Sequence, residues 1–298
     1  MRLLRLAAVL VVASACTQTA EAQAPPGTII VVATTTQMQD LVRNVGGRRV
    51  HVVGILRPNV DPHDFEPTPS AVVALAGAKL VVESGVGLDA WADQLIDGAG
   101  TLAPVFDASA GLPLRPDDPH WWGDPTLVEQ AAVALGRRLG QVDPGHRAAY
   151  RRNAARYVSR VEAMDAANRR LVATVPAAER KLVTNHDAFA YLAAHYDIRV
   201  VGSVIPALSS AAQPSAQEVA DLVDRIEAEH VRAIFTESSL DPTLERQIAS
   251  EAGVRVYANL YGDTLGPPGS PGATYLGMER WNVRAMVAGF LGEAPPAM

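Results

Sequence analysis

Residues 145–175, GHRAAYRRNAARYVSRVEAMDAANRRLVATV, contain no proline and, after Gly145, no glycine. Tyr150, Tyr157, Val161, Met164 and Leu171 recur at helical spacing and fall on or near one stripe. Asp143 is suited to be the N-cap, with Pro144 at the first helical position. At about 1.5 Å per residue the stretch predicts a helix about 45 Å long, enough to run the length of a two-lobed molecule. The flanking sequence has a different rhythm. Thr28 to Thr34 (TIIVVAT) is a continuous β-branched, apolar run, which marks a strand buried on both faces of a parallel sheet. Strand and helix patterns then alternate: helix at Thr36–Val45, strand at Val50–Ile55, helix at Ser70–Ala76, strand at Leu80–Glu83, helix at Leu88–Asp97 and strand at Ala103–Phe106. Beyond Pro176 strands are expected at Lys181–Thr184, Arg199–Val204, Ala233–Thr236 and Arg255–Ala258. Helices are expected at Ala188–His195, Ser215–His230, Pro242–Ala252 and Tyr275–Leu291. Repeated strand–helix–strand units imply right-handed crossovers. The fold class is therefore α/β, with two parallel-sheet lobes (residues 28–142 and 177–298) joined by one long backbone helix (143–176); no sequence repeat relates the lobes.

The chain opens with MRLLRLAAVLVVASA, in which Arg2 and Arg5 precede an apolar run too short to span a bilayer, the pattern of a Sec-type signal peptide over residues 1–15. The two arginines are not adjacent, which argues against a twin-arginine signal. Ala13, Ser14 and Ala15 stand directly before Cys16, and this resembles the lipobox of bacterial lipoproteins, in which the cysteine carries the lipid. The alternative is ordinary signal-peptidase cleavage after Ala15, or within residues 20–24, with Cys16 incidental. Residues 16–27, small, polar and proline-containing, suit a tether between anchor and folded body. These features place the protein in the periplasm or on the outer face of the cell membrane.

Cys16 is the only cysteine, so no internal disulfide, zinc ribbon or thiol pair is available, and a metal would have to be held by histidine and carboxylate. The net charge is −6, and removal of residues 1–15 takes away two arginines and no acid, leaving −8. This acidic balance gives no general attraction to phosphate backbones, and nucleic acid is not an expected partner.

Three of the seven histidines sit in loops beside strand ends. His63 lies in RPNVDPHDFEPTPS, His120 in RPDDPHWWGDPTLVEQ and His186 in LVTNHDAFAYLAAHY. Ligands of open α/β sheets bind outside the carboxyl ends of the strands, where such loops converge. Separations of 57 and 66 residues exclude a zinc-finger or HExxH pattern, so a shared site is a tertiary one. By spacing alone each histidine reads more readily as a loop-stabilising or surface residue than as a ligand. His51, His146, His195 and His230 read as a strand residue, a first-turn residue of the long helix, a helix-end residue and a helix-closing residue.

With these segments in place, the chain resembles the metal-binding lipoproteins that serve as substrate-binding components of zinc and manganese ABC transporters. The loop Asp61-Pro62-His63-Asp64-Phe65-Glu66-Pro67-Thr68-Pro69 matches that family's D-P-H-x-x-E-P-x-P segment. Asp118-Pro119-His120-Trp121-Trp122-Gly123-Asp124-Pro125 matches D-P-H-x-W-x-D-P, and His186 to Leu192 matches the H-x-A-F-x-Y-L segment of zinc-type members. Asp263-Thr264-Leu265 matches a short D-[ST]-L segment. The resemblance implies His63, His120, His186 and Asp263 as metal ligands, in the family's order along nearly the whole mature chain. Manganese-type members typically carry Glu where His186 stands, so it also implies Zn²⁺, with Mn²⁺ as the alternative. The His- and Asp-rich loop of many zinc-specific members has no counterpart in 109–117.

Three imidazoles and a carboxylate can close a tetrahedral shell around zinc at about 2.0–2.2 Å. Glu66, Asp124 and Glu237 are candidates to orient the ligating imidazoles, and each reads equally as a cap or a solvated loop charge. Trp121 and Trp122 are candidates to shield the site. The expected function is capture of Zn²⁺ in the cell envelope and delivery to the permease of an ABC importer, without enzymatic activity. Partners compatible with that role are the permease, a metallochaperone that loads the protein, and the membrane through a lipid anchor. The alternatives are a manganese or iron carrier of the same fold, a zinc hydrolase, which would need a metal-bound water and a general base, and a surface adhesin.

Overall fold

A computed structural model describes residues 24–294 and Pro296. The leader, Cys16 and the first part of the tether lie outside the described residues. Among those described, no helix is long and apolar enough to cross a membrane.

The N-terminal lobe begins with β1 (Ile29–Ala33), α1 (Thr36–Gly46), β2 (Val50–Gly54), α2 (Pro69–Ala76), β3 (Leu80–Glu83), α3 (Trp91–Ala99), β4 (Val105–Asp107) and α4 (Pro125–Val142). Its four strands are all parallel, in the order β2-β1-β3-β4. The apolar run in β1 has the expected consequence: Val31 and Ala33 pack with Met38, Leu41 and Val45 of α1, while Val32 points to the other face and packs with Leu75 and Val81. A strand covered by helices on both faces has no solvent side on which to place polar residues.

The long helix, α5 (Arg147–Val172), has 26 residues, about 39 Å. It begins later than the sequence predicts, because Asp143 does not cap it. Asp143 instead ends α4, its N–H bonded to the Leu139 carbonyl, and a 3-10 turn at Pro144–His146 separates the two helices. The Asp143 carboxylate accepts from the Tyr150 hydroxyl at 2.6 Å and sits 2.7 Å from Nδ1 of His146, so it fastens the turn rather than the helix start. The buried stripe of α5 is Tyr150, Ala154, Tyr157, Val161, Met164, Asn168 and Val172.

The C-terminal lobe follows with β5 (Lys181–His186), α6 (Ala190–His195), β6 (Arg199–Ile205), α7 (Ala216–Ala228), β7 (Ala233–Glu237), α8 (Thr243–Glu251), β8 (Arg255–Leu260) and α9 (Tyr275–Leu291). β5 pairs with β6 and β7 with β8, all parallel. The two pairs lie side by side through β5 and β7, where the Asn185 side chain bridges them by accepting from the Glu237 N–H at 2.5 Å. The spatial order β6-β5-β7-β8 repeats that of the first lobe, a relation of topology that no sequence repeat announces. α9, assigned by sequence to the second lobe alone, straddles both cores. Tyr275, Leu276, Met278 and Trp281 pack in the first, and Val283, Met286 and Phe290 in the second. The lobes are thus joined by α5 and by α9, and the strands of both lobes point their carboxyl ends toward the cleft loops.

Candidate metal centre

His63 follows β2 in a loop whose 3-10 turn, Pro62–Asp64, is held by Asp61 Oδ1 accepting from the His63 N–H at 2.8 Å. The same Asp-Pro-His turn recurs at Asp118, which accepts from the His120 N–H at 3.1 Å after β4. His186 is the last residue of β5, and Asp263 follows β8. These four side chains come from three loops and one strand end spread over both lobes, and their donor atoms all lie within 4.8 Å of one another. Nε2 of His120 is 3.1 Å from Asp263 Oδ1, Nε2 of His186 is 3.1 Å from Oδ2, and Nε2 of His63 is 3.6 Å from Oδ2. His120 and His186 are fully buried and Asp263 nearly so; His63 is the ligand candidate nearest solvent.

The tautomers follow from the far side of each ring. Nδ1 of His186 is 2.8 Å from Glu237 Oε1, and Nδ1 of His120 is 2.9 Å from Asp118 Oδ1. An imidazole that gives its Nδ1–H to a carboxylate presents a lone pair at Nε2. Here those lone pairs face the Asp263 carboxylate, acceptor against acceptor, and all three Nε2 atoms and both Asp263 oxygens lack any hydrogen-bond donor. Such a cluster is tolerable only around a positive charge, either a cation or bound protons. Burial lowers both imidazoles, but the carboxylates outweigh it, so His120 is raised above its usual range and His186 well above it. Burial alone would raise Asp263, yet the neighbouring imidazoles hold it well below the usual carboxylate range. His63 is lowered, chiefly by burial, with Asp263 opposing.

Asp263 follows the last strand of the C-terminal lobe, but the backbone beside it is fixed by side chains of the N-terminal lobe. The Gly262 carbonyl accepts from Trp122 Nε1 at 3.1 Å and Gln37 Nε2 at 3.3 Å, and the Leu265 N–H is bonded to Thr36 Oγ1 at 2.8 Å. Gly262 is required by space: a Cβ there would come within 2.0 Å of Glu237 Oε2. Across the cleft, Ser210 Oγ donates to Asp61 Oδ2 at 2.5 Å and the Asn59 N–H to Thr264 Oγ1 at 2.8 Å. Trp122 stacks edge-on to His120 with ring centroids 5.5 Å apart, closing that side of the site, whereas Trp121 donates to the Ser84 carbonyl and belongs to the core.

Of the three carboxylates expected to orient the imidazoles, only Glu237 lies against one, the ring of His186. Glu66 is exposed and touches none of them, because the His63 loop turns it outward. Asp124 caps α4 through Thr126 and sits 3.0 Å from Nδ1 of His195, so it is spent on a different histidine. His195 also lies 2.7 Å from Asp165 of α5, so it ties α6 to the long helix and, through Asp124, to the N-terminal lobe, which its position at a helix end does not reveal. The orienting carboxylate missed by sequence reading is Asp118. Its signal was the Asp-Pro-His turn itself, but Asp61 makes the same turn without taking the His63 ring, so the motif alone does not separate the two.

The sequence matches a known family model, the zinc-uptake complex component A, periplasmic (ZnuA), over residues 31–289. The chain belongs to that family. The iron-binding protein YfeA of Yersinia pestis is 29% identical over 269 residues, 87% of this chain and 86% of the relative. The manganese-binding lipoprotein MntA of Bacillus subtilis is 31% identical over 270 residues, 86% of this chain and 88% of the relative. Among solved structures, the periplasmic zinc-binding protein TroA of Treponema pallidum superposes with a TM-score of 0.80 at 28% identity, covering 89% of this chain and 99% of that one. The family consists of solute-binding proteins rather than enzymes. This member is accordingly a metal-binding, substrate-binding protein whose partner is an ABC-type importer, and the zinc-hydrolase alternative falls away.

Proposed function

We propose that His63, His120, His186 and Asp263 bind one Zn²⁺ as cargo, which the protein captures outside the cytoplasmic membrane and hands to the permease of its importer. The observation that carries this reading is the convergence of five buried, unpartnered donor atoms on one point. Three nitrogen donors and a carboxylate suit zinc, which stands above manganese in the stability order and accepts a closed tetrahedral shell. Such a shell leaves no position for a reactive water, as a carrier requires. In line with the lipoprotein relatives, Cys16 carries a lipid that anchors the mature chain, and residues 1–15 are its signal. A second reading is favoured by Asp263 itself: with both oxygens free it can bind in bidentate fashion, adding an oxygen donor and moving the site toward manganese or iron, the metals named for the two relatives above.

Metal analysis of the purified protein, followed by competition between Zn²⁺ and Mn²⁺, tests the proposal. The expected result is one zinc per chain and tighter binding of zinc than manganese; preference for Mn²⁺ would overturn the zinc assignment. Glu237→Gln and Asp118→Asn are each expected to weaken metal binding roughly 10- to 100-fold while leaving its stoichiometry unchanged, because each replaces the charged acceptor behind a ligand ring with a weaker, neutral amide oxygen. Titration of the two variants checks this, and unchanged affinity in both would mean that the carboxylates do not tune the site.

A further inference from the structure

The chain carries a net negative charge, yet one surface of it collects arginines. The end of α1 and the turn after it, residues 42–49 (VRNVGGRR), contain three arginines and no acid. Residues 147–160 of α5, RAAYRRNAARYVSR, contain five arginines and no acid. The fold presses these segments together: Asn153 Nδ2 donates to the Val45 carbonyl at 3.1 Å, and Arg160 donates to Asn44 Oδ1 at 3.1 Å. Arg152, Arg156 and Arg160 follow one another at i, i+4 and i+8 beside that junction, and Arg43, Arg48 and Arg49 stand on its other side. All six are exposed. Among the described residues none of them forms an ion pair; the nearby carboxylates are Asp40, buried, and Asp143, already engaged by Tyr150 and His146. Like charges gathered without counter-charges repel one another, so the face is held together only because the folded chain imposes it.

The position of this face indicates what it meets. In the parallel sheet Ile29 at the start of β1 lies opposite Val50 at the start of β2, and Arg48 and Arg49 directly precede Val50. The tether therefore enters the fold beside the arginines, at the amino ends of the strands, while the metal loops stand at the carboxyl ends. The 12 residues numbered 16–27 cannot span more than about 40 Å. An anchor at Cys16 thus keeps this face within reach of the bilayer at high effective concentration.

We propose that the arginine face formed by α1, its following turn and α5 docks on anionic phospholipid headgroups, with guanidinium groups pairing with the lipid phosphates. This rests on the reading of the protein as anchored at Cys16. In the docked state the metal loops point away from the bilayer, open to capture, and the face must leave the lipid before the loops can reach the permease. The lipid surface thereby holds the carrier in its collecting orientation.

The test uses the mature chain from residue 16 carrying Cys16→Ser, so that neither the leader nor an acyl chain contributes, and phosphatidylcholine vesicles with and without phosphatidylglycerol. The parent is expected to cosediment with the phosphatidylglycerol vesicles only, and to be released by salt. The combined variant Arg48→Ser, Arg49→Ser, Arg152→Ser, Arg156→Ser is expected to bind at least about tenfold more weakly, since each arginine near an anionic surface contributes up to about fivefold. A control replacing Arg170, Arg246, Arg280 and Arg284, exposed elsewhere, is expected to bind as the parent does. Metal titration of all three verifies that the fold is intact. Equal binding to both vesicle types, parent-like binding by the first variant, or retention on heparin without vesicle binding would overturn the proposal. Mass spectrometry of the wild-type mature N-terminus tests the Cys16 anchor separately, so failure of the anchor and failure of the face are distinguishable.

Discussion

Replacing His186 with alanine is expected to reduce zinc affinity by two to three orders of magnitude. Four-ligand zinc sites bind with apparent free energies of about 10–16 kcal/mol, so one ligand contributes about 3–4 kcal/mol. His186 has further consequences because it is fully buried and paired with Glu237. Its removal leaves the Glu237 carboxylate in the interior without its partner, and that carboxyl, already raised by burial, becomes still harder to ionise. The variant should therefore lose stability as well as metal. His63→Ala separates the two effects. Its ring is the most accessible of the four ligand candidates, so metal affinity should fall by a similar factor with little change in the unfolding midpoint of the metal-free protein. Competition titration and thermal unfolding of both variants provide the measurements, and near-parental zinc affinity in His63→Ala would exclude it from the ligand set.

Stripping the metal is expected to lower the melting temperature by about 8 °C or more. At a metal concentration a thousandfold above Kd, binding to the folded state alone adds about 4 kcal/mol, and in large domains each kcal/mol moves the midpoint by about 2–4 °C. The direction follows from the site's electrostatics. Without a cation, five donor atoms stand buried and unsatisfied, or protons must be taken up to relieve them. A divalent ion replaces that arrangement with bonds to loops of both lobes, and so cross-links them. Scanning calorimetry with chelator and with zinc checks this; coincident transitions would mean that the cluster binds no metal tightly. α5 and α9 both bridge the lobes and remain packed in either state, so the metal-free protein is expected to unfold in one transition rather than lobe by lobe.

Most of the secondary structure was legible in the sequence because its signals are local. β1 is apolar on both faces, α9 runs from Tyr275 to Leu291 as its pattern indicates, and α7 starts at a capping box formed by Ser215 and Glu218. The start of α5 was misread because Asp143 and Pro144 would cap a helix equally well in isolation; only the arrival of α4 at Val142 turns Asp143 into a stop for the preceding helix. The common strand order of the lobes left no sequence repeat, since topology is set by which faces are buried rather than by residue identity.

The site divides in the same way. The Asp-Pro-His and His-x-Ala-Phe segments marked His63, His120 and His186 through their resemblance to a known family, since spacing alone left each readable as a loop or surface residue. That Glu237 and Asp118, and not Glu66 or Asp124, hold the rings depends on distances across strands and between lobes. The arginine face escaped sequence reading for a like reason: its halves lie about a hundred residues apart, and each alone is an ordinary solvated helix surface.

The sequence by itself determined the chemistry available to this protein: one cysteine, Cys16, and a donor set of histidine and aspartate. It also determined the periodicities that make two α/β lobes and a long helix, since these are written in neighbouring residues. Only the tertiary structure decided which lone pairs share a point, which carboxylates orient them and where positive charge accumulates. Those are properties of separations in space, and hydrogen bonds and Coulomb interactions change decisively over an ångström that no spacing along the chain records.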